Sequence, residues 1–221
     1  LERGLKSFVA FSPDSRILAF TDQSLESFGT VGLYDLKTRD LLEPVTVTGA
    51  VGPLAFSRDG RWLGLGVCDS ELRRRTVVLD FERRAQVGEL RADTPLAGEH
   101  QGYAWVFGPD DQSVIASEGD PGREIVVGDF RVATGPQRRI PRQGEPITTL
   151  ALSPGGRLLA TATGAEDTGI QFWEVPSFRP VGSLTGHERW VAGLQFSPDG
   201  KALASASADQ TLKLWDVAGR M

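Results

Sequence analysis

Two short phrases recur along the chain in a fixed order, and this repetition is the strongest constraint on what the chain can fold into. The first phrase is an apolar residue, a small residue and a turn, and it begins at Phe11, Phe56, Phe107, Leu152 and Phe196. The second is an apolar run that ends in Asp or Glu, about 20 residues further on. Because both phrases keep a period of roughly 45 residues, we interpret the chain as five similar units.

The last unit shows most clearly what one repeat contains. Alternation over residues 191–196 predicts a strand with Val191, Gly193 and Gln195 on one face and Ala192, Leu194 and Phe196 on the other. The turn at Pro198-Asp199-Gly200 follows, where glycine accepts a positive φ. Further strands are predicted over residues 202–207 and 211–217, and a more polar strand over residues 180–184 of the preceding unit.

Four short strands in each of several repeats are typical of the blades of a β-propeller. The sequence therefore predicts an all-β fold of four-stranded antiparallel blades, with five blades visible. We expect a single propeller domain over 1–221, with approximate repeat units 1–48, 49–92, 93–143, 144–185 and 186–221. The fifth unit stops after its third strand, so the last blade is expected to lack its outer strand.

The fifth unit resembles the WD-repeat family, because Gly186-His187 precedes its first strand and Trp215-Asp216 closes its third. The resemblance implies a structural network in which Asp bonds to His, His to Ser, and Ser to the indole of Trp. We assign this network to His187, Ser207, Asp209 and Trp215. The fourth unit keeps a partial network, assigned to Thr163, Asp167 and Trp173.

Members of this family most often form rings of seven blades, and an open strand edge is a liability for a soluble protein. We therefore expect the chain to be part of a larger ring, or a fragment whose last blade is completed by another chain or a flanking segment. A self-contained ring of five blades and an open arc are the alternatives.

Composition argues against several classes of partner and location. The net charge is −5, and the arginine clusters, such as those at Arg73 and Arg138, are predicted to be solvated loop tips, so we expect no nucleic-acid partner. No apolar run reaches the ~20 residues of a membrane span. The single cysteine, Cys68, excludes an internal disulfide and fits a cytoplasmic location. The arginine-rich composition without asparagine is typical of a bacterial protein.

No catalytic motif is present in the sequence: there is no nucleophile elbow, no His-Glu-x-x-His, no Cys-x-x-Cys and no phosphate loop. Two histidines and no asparagine argue against a metal or cofactor site of the kind that propeller enzymes use. We therefore expect no enzyme activity, no cofactor and no metal.

The resemblance favours a non-catalytic protein–protein interaction scaffold that binds other proteins or peptides. Exposed aromatic side chains at loop tips make good anchors, so we predict binding through Trp190 and the loop residue Ala208, with Gln101 in the corresponding place of the third unit. The alternative is a sensor or regulatory module of a larger bacterial multidomain protein, beside a kinase, protease or nucleotide-switch domain.

Overall fold

The computed structural model describes residues 8–21, 29–69, 73–95, 104–118, 124–132, 137–142, 145–164 and 168–220. Within these ranges the secondary structure is β, apart from a single 3₁₀ turn at Ala218–Arg220. No helix of the described residues is long and apolar enough to cross a membrane.

The strands form five antiparallel sheets, which we call the first to fifth blades in chain order. The first two blades comprise β1 (Val9–Phe11), β2 (Ile17–Thr21), β3 (Thr30–Asp35), β4 (Asp40–Thr46) and β5 (Ala50–Phe56), β6 (Trp62–Cys68), β7 (Arg73–Asp80), β8 (Ala85–Pro95). The next two comprise β9 (Trp105–Phe107), β10 (Ser113–Glu118), β11 (Glu124–Asp129), β12 (Arg138–Pro141) and β13 (Ile147–Leu152), β14 (Leu158–Thr163), β15 (Ile170–Glu174), β16 (Arg179–Leu184). The fifth blade comprises β17 (Val191–Phe196), β18 (Ala202–Ser207) and β19 (Leu212–Asp216).

The predicted fold class is confirmed: the chain is all-β, and its blades are the antiparallel meanders of a β-propeller. Among the described residues the fifth blade has three strands, as predicted. The turn chemistry also holds, because Gly200 has a φ of 73° and Gly60 a φ of 76° at matching positions. The phrase that marked each repeat is thus the turn between the first two strands of a blade.

The predicted alternation along β17 holds from Gly193 to Phe196 but is wrong at Val191, because the strand contains a β-bulge between Val191 and Gly193. Val191 pairs with Ser207, and Gly193 pairs with Ala206, so one extra residue separates the two pairs. After the bulge, Leu194 pairs with Ser205. Ser205 and Ser207 point to the same side of β18, and Val191 therefore shares the face of Leu194 instead of opposing it.

Contacts along the chain divide it into two compact units. The first unit contains Leu1–Pro95 with Gly128–Pro136, and its apolar core joins β2 and β3 of the first blade to β5, β6 and β7 of the second. The second unit contains Leu96–Val127 with Gln137–Met221. It has two cores, one between the third and fourth blades and one between the fourth and fifth.

Of the arginine clusters predicted at loop tips, Arg83 and Arg84 lie in the exposed turn between β7 and β8, as predicted, whereas the clusters at Arg73 and Arg138 lie in strands β7 and β12 and include arginines that pair with carboxylates. Arg75 contacts the buried Glu89 at 3.1 Å. Arg139 contacts the buried Glu118 at 3.3 Å and Glu124 at 3.0 Å. Burial of the carboxylates explains the placement, because a buried charge requires a partner.

Candidate protein interface on the fifth blade

A chain of hydrogen bonds runs through the fifth blade and begins at the buried His187. The ring Nδ1 lies 2.7 Å from Oδ2 of Asp209, and Nε2 lies 2.7 Å from Oγ of Ser205. The indole N–H of Trp215 donates to the same Ser205 oxygen at 2.8 Å. A carboxylate only accepts, so Nδ1 carries the proton, and in the neutral ring Nε2 accepts from the Ser205 hydroxyl. Each polar group of the set is thereby satisfied.

Asp209 closes the network on the loop side. Burial alone raises the pKa of this carboxyl, but hydrogen bonds from the Thr211 hydroxyl, the Glu188 backbone N–H and His187 outweigh it and hold the pKa well below its usual range. The Thr211 hydroxyl lies 2.6 Å from Oδ1 and the Glu188 nitrogen 3.0 Å from Oδ2. Asp209 is therefore charged at neutral pH. Its carboxylate joins the loop before β17, through Glu188, to the loop before β19, through Thr211.

We expect the contribution of Asp209 to stability to depend on pH. Its lowered pKa means that the native state binds fewer protons than the unfolded chain, so the stabilisation is present above the unfolded pKa of about 3.9 and is lost as the pH falls through the native pKa. Asp209→Asn should lower the melting temperature at neutral pH, and its gap to the native chain should narrow in acid. Thermal melts over a pH series measure this.

The control for the pH series is Glu43→Gln, which removes a carboxylate from an exposed position of β4. Its melting temperature should follow that of the native chain at every pH. A gap for Asp209→Asn that stays constant from neutral pH into acid would contradict the role of the charged carboxylate.

The structure brings three of the four predicted network residues together, and the assignment of Ser207 is wrong. Trp215 pairs with Leu203 across β18 and β19. A side chain on β19 can also reach its diagonal neighbour on β18, which lies on the same face two residues beyond the directly paired residue. That position is Ser205, whereas Ser207 lies four positions along and is out of reach.

The same correction applies to the fourth blade. Trp173 pairs with Leu159, and its indole N–H donates to the Thr161 hydroxyl at 2.9 Å. Thr163, predicted as its partner, is buried and instead pairs with Ile147 on β13. Asp167 lies outside the described residues. Once the strand register is known, the diagonal neighbour of each tryptophan identifies both Ser205 and Thr161.

Ser207 serves the loop over residues 188–190. Its hydroxyl lies 3.0 Å from the carbonyl oxygen of Arg189 and 3.1 Å from that of Trp190, to which the Ala208 N–H also donates at 3.0 Å. Glu188 is anchored through its backbone to Asp209. The loop is thus held by hydrogen bonds at three consecutive residues.

Trp190, which we predicted as a binding anchor, has 42% of its surface exposed. The structure places it beside the predicted Ala208, which is half-buried. Gln101, predicted at the corresponding place of the third unit, lies outside the described residues. Pro146 occupies the equivalent position in the fourth blade, because its carbonyl accepts from the Gly164 N–H at 2.9 Å.

Comparison with protein families matches residues 136–174 and 178–216 to the model described as "WD domain, G-beta repeat". These two segments cover the strands of the fourth and fifth blades. They are the blades in which a tryptophan indole donates to a hydroxyl of the second strand.

Several curated proteins are similar to this chain. The "B-type cell cycle switch protein ccs52B" of Medicago truncatula is 28% identical over 74% of this chain and 32% of its own length. "Cell division cycle 20.6, cofactor of APC complex" of Arabidopsis thaliana is 32% identical over 52% of this chain and 26% of its own. The "Nuclear distribution protein nudF" of Emericella nidulans is 48% identical over 25% of this chain and 12% of its own. The chain thus spans a third or less of the length of these eukaryotic relatives.

A solved structure described as "Kuenenia stuttgartiensis Hydrazine Synthase" superposes with a TM-score of 0.72. The match covers 90% of this chain and 55% of the other at 21% identity. At this identity the likeness shows a shared fold alone.

Proposed function

We propose that this chain is a non-catalytic scaffold that binds other proteins or peptides, because residues 136–174 and 178–216 match the WD-repeat family model. The observation that carries the proposal is the exposed indole of Trp190 on a loop held by hydrogen bonds. A loop whose backbone is already held by hydrogen bonds loses little conformational entropy when a partner covers it. Tryptophan is also enriched among residues that dominate binding energy.

The fifth blade builds this interface in two layers. The inner layer is the network of His187, Ser205, Asp209 and Trp215, which orders the base of the loop. The outer layer consists of Glu188, Arg189 and Trp190, all of which are exposed. These acidic, basic and aromatic side chains are neighbours in the sequence. Together they can bind a peptide through one apolar anchor and two charged contacts.

The test uses a displayed library of random peptides selected against the 221-residue chain. Peptides that bind this site should lose affinity for Trp190→Ala by tenfold or more, since a central aromatic anchor typically contributes about 2 kcal/mol or more. Titration calorimetry on the purified variants measures the loss. Trp190 makes its hydrogen bonds through the backbone, so the melting temperature should stay close to that of the native chain.

The matched control is Val132→Ala, which shortens an exposed apolar side chain in the first unit. Peptide affinity should be unchanged in this variant. If selected peptides bind Trp190→Ala as tightly as the native chain, the anchor role is refuted. If no peptide is enriched over an unrelated protein of similar size, the scaffold function itself is refuted.

A second proposal is a regulatory module within a larger protein. It is supported by relatives whose names describe a cell cycle switch protein and a cofactor of the APC complex, and by the small share of their length that this chain spans. A bacterial source and a cytoplasmic location also stay proposals, based on the arginine-rich composition and the single cysteine. Sequencing the gene on both sides of the segment that encodes this chain would test the regulatory module and the source.

A further inference from the structure

Neighbouring blades pack through the same pair of faces in each of the cores. We call the face covered by the next blade in sequence the forward face, and the face that packs on the preceding blade the rear face. Between the fourth and fifth blades, the forward face is formed by Ala160, Ala162, Ile170 and Phe172. The rear face of the fifth blade supplies Val191, Leu194, Phe196 and Leu203. The cores between the first two blades and between the third and fourth blades use matching positions.

The forward face of the fifth blade is exposed. Leu212 and Leu214 pair with Ala206 and Ala204, just as Ile170 and Phe172 pair with Ala162 and Ala160 in the fourth blade. Ile170 and Phe172 are 1% and 0% exposed, whereas Leu212 and Leu214 are 82% and 81% exposed. Two leucines at positions that are buried in the fourth blade therefore face solvent in the fifth.

The rear face of the first blade is exposed as well. Phe11 pairs with Leu18 as Phe196 pairs with Leu203. Phe196 is 3% exposed, whereas Phe11 is 58% exposed and Val9, two residues earlier on the same face, is 61% exposed. Large apolar side chains at two faces of this kind are typical of surfaces that another molecule covers.

The two exposed faces are the complementary halves of the blade-to-blade interface that recurs within the chain. Since one chain carries both halves, a second copy presents the partner for each. We propose that the chain associates head to tail, with Leu212 and Leu214 of one copy packing on Val9 and Phe11 of the next. Such an interface is heterologous, and it joins copies in a ring or an open series. This interface would repeat between copies the same packing that joins neighbouring blades within one chain. The loop that carries Trp190 is part of neither face.

The test is the molar mass of the 221-residue chain in solution, measured by sedimentation velocity over a wide range of concentrations. The mass of the native chain should rise with concentration. Leu214→Asp and Phe11→Asp each place a charge in one half of the interface, and each should weaken self-association by at least about tenfold. Because both residues are exposed, both variants should keep the native circular dichroism, and they should keep the native melting temperature at concentrations where the chain is monomeric.

Mixing the two variants tests the head-to-tail arrangement. Leu214→Asp keeps an intact rear face and Phe11→Asp an intact forward face, so an equimolar mixture should form dimers that do not grow further. Val132→Asp, a charge at an exposed valine that belongs to neither face, should associate like the native chain. A native chain that stays monomeric overturns the proposal. The proposal is also overturned if Leu214→Asp and Phe11→Asp each associate as strongly as the native chain, or if the mixture of the two variants remains monomeric.

Discussion

Phe172→Ala is expected to destabilise the chain by about 3–5 kcal/mol, the usual cost of truncating a buried phenylalanine. Phe172 is fully buried on the forward face of the fourth blade and packs in the core shared with the fifth. The truncation removes apolar contacts from both blades at once and leaves a cavity between them. Thermal and urea unfolding followed by circular dichroism measure the loss.

The chain contains a matched control for this substitution. Leu214 occupies the same position of the fifth blade but is exposed, so Leu214→Ala should change stability by no more than about 0.5 kcal/mol at concentrations where the chain is monomeric. Equal losses in the two variants would mean that the forward faces of the two blades are in the same environment. A negligible loss in Phe172→Ala would contradict the packing of the fourth blade on the fifth.

The repeat period was enough to predict the blades, because turn and strand signals are local. Glycine with a positive φ follows the aspartate at Asp59 and at Asp199, and the apolar runs on either side are the strands. The bounds of β17 and β18 agree with the prediction residue for residue. Local backbone chemistry therefore fixes where a strand begins and ends in this chain.

The faces of the strands could not be predicted in the same way. A bulge changes the side of every residue beyond it, and β5, β13 and β17 each contain one extra residue. Only the pairing with the second strand reveals the bulge, and pairing is a property of the folded sheet. The error over Ser207 has the same origin, since Ser205 and Ser207 share a face and only register distinguishes them.

The register also reveals a difference between the fourth and fifth blades and the other three. In each blade the apolar residue that starts the turn phrase pairs with a residue of the second strand. The difference lies at the residue two positions further along that second strand. This residue is Phe20, Leu65, Ala116, Thr161 and Ser205 in the five blades in turn. A hydroxyl capable of accepting an indole N–H is present only in the fourth and fifth. In the second blade Leu65 joins Leu79 in an apolar core instead.

His187→Ala should lower the free energy of unfolding by about 1–3 kcal/mol, the cost of leaving buried polar partners unsatisfied. The substitution removes the ring that joins the Ser205 hydroxyl to the Asp209 carboxylate. The indole of Trp215 then donates to a serine that has lost its own acceptor. Thermal and urea unfolding measure the loss, and a native-like melting curve for His187→Ala would refute the contribution of the network.

A double-mutant cycle decides which serine belongs to the network. Ser205→Ala also breaks the chain of hydrogen bonds, so its effect and that of His187→Ala should overlap, with a coupling of about 0.5–3 kcal/mol. Ser207→Ala removes hydroxyl contacts to the carbonyls of Arg189 and Trp190 and to the backbone N–H of Asp209, but none to the His187 ring, so its coupling to His187→Ala should be weaker than that of Ser205→Ala. The opposite pattern, coupling through Ser207 and additivity at Ser205, would contradict the register of β18 on β19. The cycle thus tests the register with the side chains that depend on it most.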